Sequence, residues 1–87
     1  MPLNRESVLS AIKAKLMAIA DSIGEDATDL QPDDIIPASG AIDSAGLLEL
    51  IAWFEGEYGI QIPTSDFTID NLGSMALMAD YLLSKQS

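Results

Sequence analysis

The chain has 87 residues, enough to bury one hydrophobic core and too few for a second domain. Hydrophobic residues make up 48% of it, too many for a disordered tail, yet no apolar run approaches the roughly 20 residues of a membrane span. Fourteen carboxylates against four basic side chains leave a formal charge of −10, and the chain has neither cysteine nor histidine. That composition excludes disulfides, thiol nucleophiles and the usual neutral-pH base and zinc ligand, and it repels nucleic acid and anionic lipid. Basic protein surfaces are the expected partners, although acidity can also serve solubility alone.

Met1-Pro2-Leu3-Asn4-Arg5 opens the chain without the apolar core of a signal peptide, so a cytoplasmic location is expected. From about Arg5 to Ile23, Val8, Ile12, Leu16, Ile19 and Ile23 recur at three- and four-residue steps, with Lys13 and Lys15 off the stripe. This spacing predicts an amphipathic first helix, with Asn4 as its N-cap and Gly24 as the left-handed residue that closes it.

Between Gly24 and Asp43 no periodicity persists through Pro32, Pro37 and Gly40, and a long connection is expected, pinned to the core by Leu30, Ile35 and Ile36. Long connections inside small domains are often functional. Its carboxylates, Glu25, Asp26, Asp29, Asp33 and Asp34, lack the alternation, central glycine and terminal glutamate of a calcium loop, so no metal site is expected.

Leu47, Leu50, Ile51, Phe54 and Tyr58 restore helical spacing and predict a central helix stopped at Gly59. Trp53 lies beside that stripe as a partly buried core aromatic or a contact point. Ile60 and Ile62 offer only two alternating positions and no partner segment, which argues against a strand. Thr64 to Gly73 reads as a short helix or turn carrying Phe67, Ile69 and Leu72 inward. Ser74 then caps a last helix that buries Met75, Met78, Ala79 and Leu82, with the methionines as core or as lining for a cargo. The expected fold is all-α: a single domain over residues 1–87, a small four-helix bundle with a long loop between helices 1 and 2 and a short third helix.

The segment Gly40-Ala41-Ile42-Asp43-Ser44-Ala45-Gly46 places Ser44 at the entrance of the central helix, where unpaired amides and the positive dipole end favour a phosphate ester. Ordinary helix capping by Asp43 or Ser44 is the alternative reading. Asp43-Ser44-Ala45-Gly46-Leu47-Leu48-Glu49-Leu50-Ile51, followed by Phe54-Glu55, Glu57-Tyr58-Gly59-Ile60 and Ile62-Pro63, resembles the acyl carrier protein family, and the likeness runs from Val8 to Leu83.

The resemblance implies a 4′-phosphopantetheine arm on Ser44, with Asp43 in support through the magnesium ion used during attachment. It implies a phosphopantetheinyl transferase, an acyl- or amino-acid-activating ligase or synthase, and downstream acyl-transfer enzymes as partners of a monomeric carrier. Ala45 departs from the larger apolar residue usual beside the serine and bears on which enzymes accept the chain. Gly40 and Gly46 flank Ser44 in a pattern similar to carriers of activated amino acids, including D-alanyl carrier proteins.

Ala45, Leu48, Glu49, Ala52, Glu55 and Gly56 lie off the core stripe and form the expected docking face, an apolar anchor among carboxylates suited to brief contacts with several enzymes. A solvated helix side is the plainer reading. Without histidine or cysteine, independent catalysis is not expected. An unmodified acidic adaptor for a basic protein is the alternative function.

Overall fold

In the computed structural model, which describes residues 4–86, Asn4 accepts the Ser7 amide at 2.8 Å and starts α1 (Arg5–Ser22). Residues 1–3, and with them the reading of Met1-Pro2-Leu3 as a chain start without a signal, lie outside the described residues, as does residue 87 of the expected domain. Val8, Ile12, Leu16, Ile19 and Ala20 form the buried stripe of α1. At its end the Glu25 amide donates to the Ala20 carbonyl and the Gly24 amide to Asp21, a pair of bonds that needs the left-handed φ of +78° found at Gly24. Ile23, expected in the stripe, is 45% exposed because the helix has already ended and Ile23 is its cap.

The connection to the next long helix is stitched rather than loose. The Lys13 ammonium donates to the carbonyls of Thr28 and Leu30, the Ala76 amide to Pro32, and the Ile36 amide to Gly73 at 2.7 Å. Ala27, Leu30, Ile36, Ala41 and Ile42 are buried, whereas Ile35 is only half-buried. A one-turn helix, α2 (Ile36–Ser39), interrupts the connection, with Pro37 in its first turn, where a missing amide costs nothing, and Gly40 closing it at φ +77°. Four residues are too few to show a helical period, so this element was invisible to spacing.

The central helix is α3 (Ser44–Tyr58), burying Gly46, Leu50, Ile51 and Phe54, with Leu47 and Tyr58 at the margins of the stripe. After Gly59 the chain runs extended without strand pairing, Ile62 buried and Ile60 half-buried. A 3-10 turn at Thr64–Asp66 precedes α4 (Ile69–Leu72), capped by Thr68, whose hydroxyl accepts the Asn71 amide at 3.2 Å. Leu72 is buried as expected, but Phe67 and Ile69 are 36% and 56% exposed. A single helical turn presents one residue inward, and Leu72 takes that place.

The last helix, α5 (Met75–Gln86), is capped by Ser74, whose buried hydroxyl accepts the Leu77 amide at 3.1 Å. Met75, Ala76, Met78, Ala79 and Leu82 are buried. The fold is therefore all-α, as expected. Among the described residues, though, there are five helices, two of them single turns, where four were expected. No described helix is long and apolar enough to cross a membrane.

The core joins α1, α3 and α5 around Phe54, Ile12, Leu16, Leu50, Met78 and Leu82, all inaccessible to solvent. Arg5 and Asp80 form an ion pair across α1 and α5 at 3.0 Å, and the two groups are about half exposed, which limits its contribution to under about 1 kcal/mol.

Candidate functional site

Two buried residues, Ala41 and Ile42, bring the chain to the start of α3, and three exposed ones, Asp43, Ser44 and Ala45, follow. Asp43 is the cap: its Oδ1 accepts the Gly46 amide at 2.7 Å from an extended backbone. Ser44 is thus the first residue of the helix and not its cap, and its hydroxyl stands on the surface. Capping explains Asp43 and leaves Ser44 without that role.

Gly46 is buried against α1, where a Cβ would meet Ile19 Cγ2 and Ile42 Cβ at 3.1 Å. The serine is exposed on a backbone that is held on both sides. A phosphate ester there would face the unpaired amides of a 15-residue helix with no acidic residue in its first turn.

Of the expected docking residues, Ala45, Leu48, Glu49, Ala52 and Gly56 are exposed along one side of α3, with Leu48 at 56%. Glu55 departs from the expectation: it is half-buried, and its Oε2 accepts the Ile62 amide at 2.9 Å, so it holds the chain after α3 instead of forming part of a free acidic rim.

Sequence reasoning missed a second apolar wall. Pro37 of α2, Leu47 and Leu48 of α3, and Phe67 and Ile69 around α4 line a groove of about 140 Å³ alongside Leu48. The brevity of the Thr64 to Gly73 segment was the available signal, because three large apolar residues exceed what one turn can bury. No lysine or arginine occurs between Lys15 and Lys85, whereas every carboxylate except Glu6 does, so the stretch containing Ser44 is wholly acidic.

Trp53 is half-buried and packs edge-on to Tyr58 at 6.2 Å and tilted against Phe54 at 6.5 Å, at the edge of the core. Met75 and Met78 are buried; Met75 also lines an open groove of about 550 Å³ with Leu9, Met17 and Pro32 on the α1 side of the molecule.

In the acidic connection Asp26 accepts both the amide and the hydroxyl of Thr28, which hold its carboxyl below the usual range. Asp34 accepts the Gln31 amide. Among the described residues no group of three or more carboxylates is arranged to hold a metal ion. Tyr81 donates to Asp66 Oδ2 at 2.7 Å; burial first, then this carboxylate, pushes its phenol up to about 12.

A short helical domain that presents a serine at the mouth of its central helix, beside an acidic, partly apolar face, has the architecture of a carrier. Residues 16–79 match the family described as phosphopantetheine attachment site. Over 61 residues the chain is 36% identical to the D-alanyl carrier proteins of Streptococcus gordonii and Streptococcus thermophilus, covering 69% of this chain and 76% of theirs. The D-alanyl carrier protein of Leuconostoc citreum is 38% identical, with 69% and 77% covered. No solved structure matches the chain. The chain belongs to the phosphopantetheine attachment family: it is a carrier protein, not an enzyme, and its cofactor is covalently attached 4′-phosphopantetheine.

Proposed function

We propose that Ser44 bears the phosphopantetheine arm and that the chain carries a small activated amino acid, with D-alanine the first cargo to test. The observation supporting the site is the exposed Ser44 hydroxyl at the first position of α3, beside an aspartate already engaged as the cap. When bound, 4′-phosphopantetheine supplies a thiol that takes a carboxyl group as a thioester.

The chain's own residues divide the remaining work. Ser44 offers the oxygen that is modified. Asp43 fixes the helix start through Oδ1, and its carboxylate would help hold the magnesium ion used while the arm is attached, as the family resemblance implies. Leu48 offers an apolar anchor whose burial in a partner contributes up to about 2 kcal/mol, while Glu49 and the surrounding acidic surface steer basic partner faces. Ala45, Ala52 and Gly56 keep the rest of the face low, and Glu55 shapes it from beneath. The partners are a phosphopantetheinyl transferase, an amino-acid-activating ligase and a downstream acyl-transfer enzyme, met by a monomer in the cytoplasm.

Two findings support an amino acid over a long acyl chain. The relatives are D-alanyl carriers. The centre of the bundle is filled by Phe54, Leu16, Leu50, Met78 and Leu82 at zero exposure, and the grooves beside it are open to solvent. An acyl chain would have to displace packed side chains, whereas a small polar cargo needs no chamber.

Intact-mass measurement after incubation with a broad phosphopantetheinyl transferase tests the site: the mass gain is expected in the native chain and absent in Ser44→Ala. A gain that survives in Ser44→Ala would overturn the assignment, and no gain in the native chain would revive the unmodified adaptor. Loading by a D-alanine-activating ligase, set against ligases for other amino acids and for fatty acids, tests the cargo.

A further inference from the structure

We infer that Gly46 is a positioning residue for the modification: by leaving no Cβ between α3 and α1 it holds Asp43 and Ser44 where a transferase meets the serine. The inference rests on Ser44 being the attachment residue. Gly46 has three neighbours that a Cβ would crowd, at 3.1 Å from Ile19 Cγ2, 3.1 Å from Ile42 Cβ and 3.2 Å from Asp43 Oδ1. Comfortable carbon contacts begin near about 3.5 Å, so something must move.

The three neighbours do not yield equally. Ile19 Cγ2 is a methyl on the branched Cβ of a buried α1 residue, stiff about its first torsion, so it stands as a wall that presses a new side chain back towards the helix entrance. Ile42 Cβ is bound directly to the backbone one residue before the cap, and Ile42 is itself buried. Asp43 Oδ1 is the capping atom, bonded to the amide of Gly46. A side chain at position 46 therefore pushes on the segment Ile42 to Ser44 more than on the body of α3. Gly56, on the same helix, shows the contrast: a Cβ there would meet nothing within 4 Å. The glycine at 46 is required by this close approach and not by its backbone angles, since its φ is not positive.

Stability and modification are expected to part company. Alanine is a better helix former than glycine, which offsets part of the lost packing in Gly46→Ala. The reacting oxygen has no such compensation. Misplacing a reacting group by about 1 Å can cost about 100-fold in rate, so a shift of about half an ångström corresponds to about tenfold.

In the transfer, the Ser44 oxygen forms a bond to the phosphorus of the coenzyme A pyrophosphate that bears the pantetheine. The bond from that phosphorus to the bridging oxygen breaks, adenosine 3′,5′-bisphosphate leaves, and the hydroxyl proton passes to solvent. The experiment follows this step by intact mass in the full chain with coenzyme A and a purified transferase. Alongside it, thermal melting and the amide proton shift and exchange of residue 46 are recorded.

Gly46→Ala is expected to melt within a few degrees of the native chain, to lose the hydrogen-bonded shift of amide 46, and to be modified with about tenfold lower kcat/KM. Leucine has no Cγ2, so Ile19→Leu combined with Gly46→Ala is expected to recover much of the rate. A native rate in Gly46→Ala would overturn the inference. So would a loss of rate that tracks a loss of melting temperature with no recovery in the double variant. If Gly46→Ala fails to fold, the double variant decides: slow modification despite a native amide signal would overturn the inference. No modification of the native chain, or modification that persists in Ser44→Ala, would instead sink the Ser44 assignment on which it rests.

Discussion

Glu55 and Ile62 are joined by a carboxylate-to-amide hydrogen bond of 2.9 Å that ties the middle of α3 to the chain beyond its end. Spacing alone places Glu55 on the docking face; the bond turns its charge into a brace. Glu55→Ala leaves the Ile62 amide half-buried without an acceptor and is expected to cost about 1 to 2 kcal/mol in urea unfolding. Glu55→Gln keeps an acceptor and should cost less than half as much. Equal losses in the two variants would show that the charge, and not the acceptor, matters.

Leu48 makes the opposite case. Already 56% exposed, it contributes little to the folded chain, so Leu48→Ala should shift unfolding by less than about 0.5 kcal/mol. The same variant should raise the KM of a loading ligase by about tenfold, the equivalent of losing an apolar anchor worth about 1.4 kcal/mol. An unchanged KM would remove Leu48 from the docking face.

The bond from Tyr81 to Asp66 predicts an alkaline weakness. The phenol is raised to about 12 in the folded chain against a usual value near 10, and burial is the main cause. Below pH 10 both folded and unfolded forms keep the proton and the stabilisation is complete. As pH rises through the folded value the unfolded chain has already released its proton, and the contribution is lost. Tyr81→Phe should lower stability near pH 7 by about 1 kcal/mol and make the decline above pH 10 shallower. Unfolding followed at several pH values, with phenolate absorbance, measures both.

Lys13 predicts the behaviour of the long connection. Its ammonium holds the carbonyls of Thr28 and Leu30, and Lys13→Met keeps the aliphatic stem while removing both bonds. Limited proteolysis within residues 25–35 should accelerate several-fold, because cleavage follows the population of the opened segment. Native-like resistance would mean that Pro32 and Ile36, bonded to Ala76 and Gly73, hold the connection by themselves.

The long helices were legible because each repeats its period several times. Val8, Ile12, Leu16 and Ile19 could be read in α1, and Leu50, Ile51 and Phe54 in α3, with Asn4, Asp43 and Ser74 marking their starts. What escaped was short or set by the tertiary fold. Helix α2 has no period, Ile23 falls outside the stripe because the chain turns one residue earlier, and Phe67 and Ile69 stay out because one turn of α4 has one inward place. The exposed Ser44 between a cap and a buried glycine was legible as a position; the crowding around Gly46 was not, since it depends on where Ile19 arrives from a separate helix.

The pairing of Arg5 with Asp80 has a practical corollary for engineering. It sets the first turn of α1 beside α5, while Ile19, about 20 Å further along α1, touches Gly46 next to Ser44. The first turn of α1, with Asp80 of α5 beside it, thus lies at the pole opposite the serine. With the arm on Ser44 as proposed, a surface tether or fluorescent label attached at the first turn of α1 would stand away from visiting enzymes, so the carrier can be immobilised there with the serine side clear.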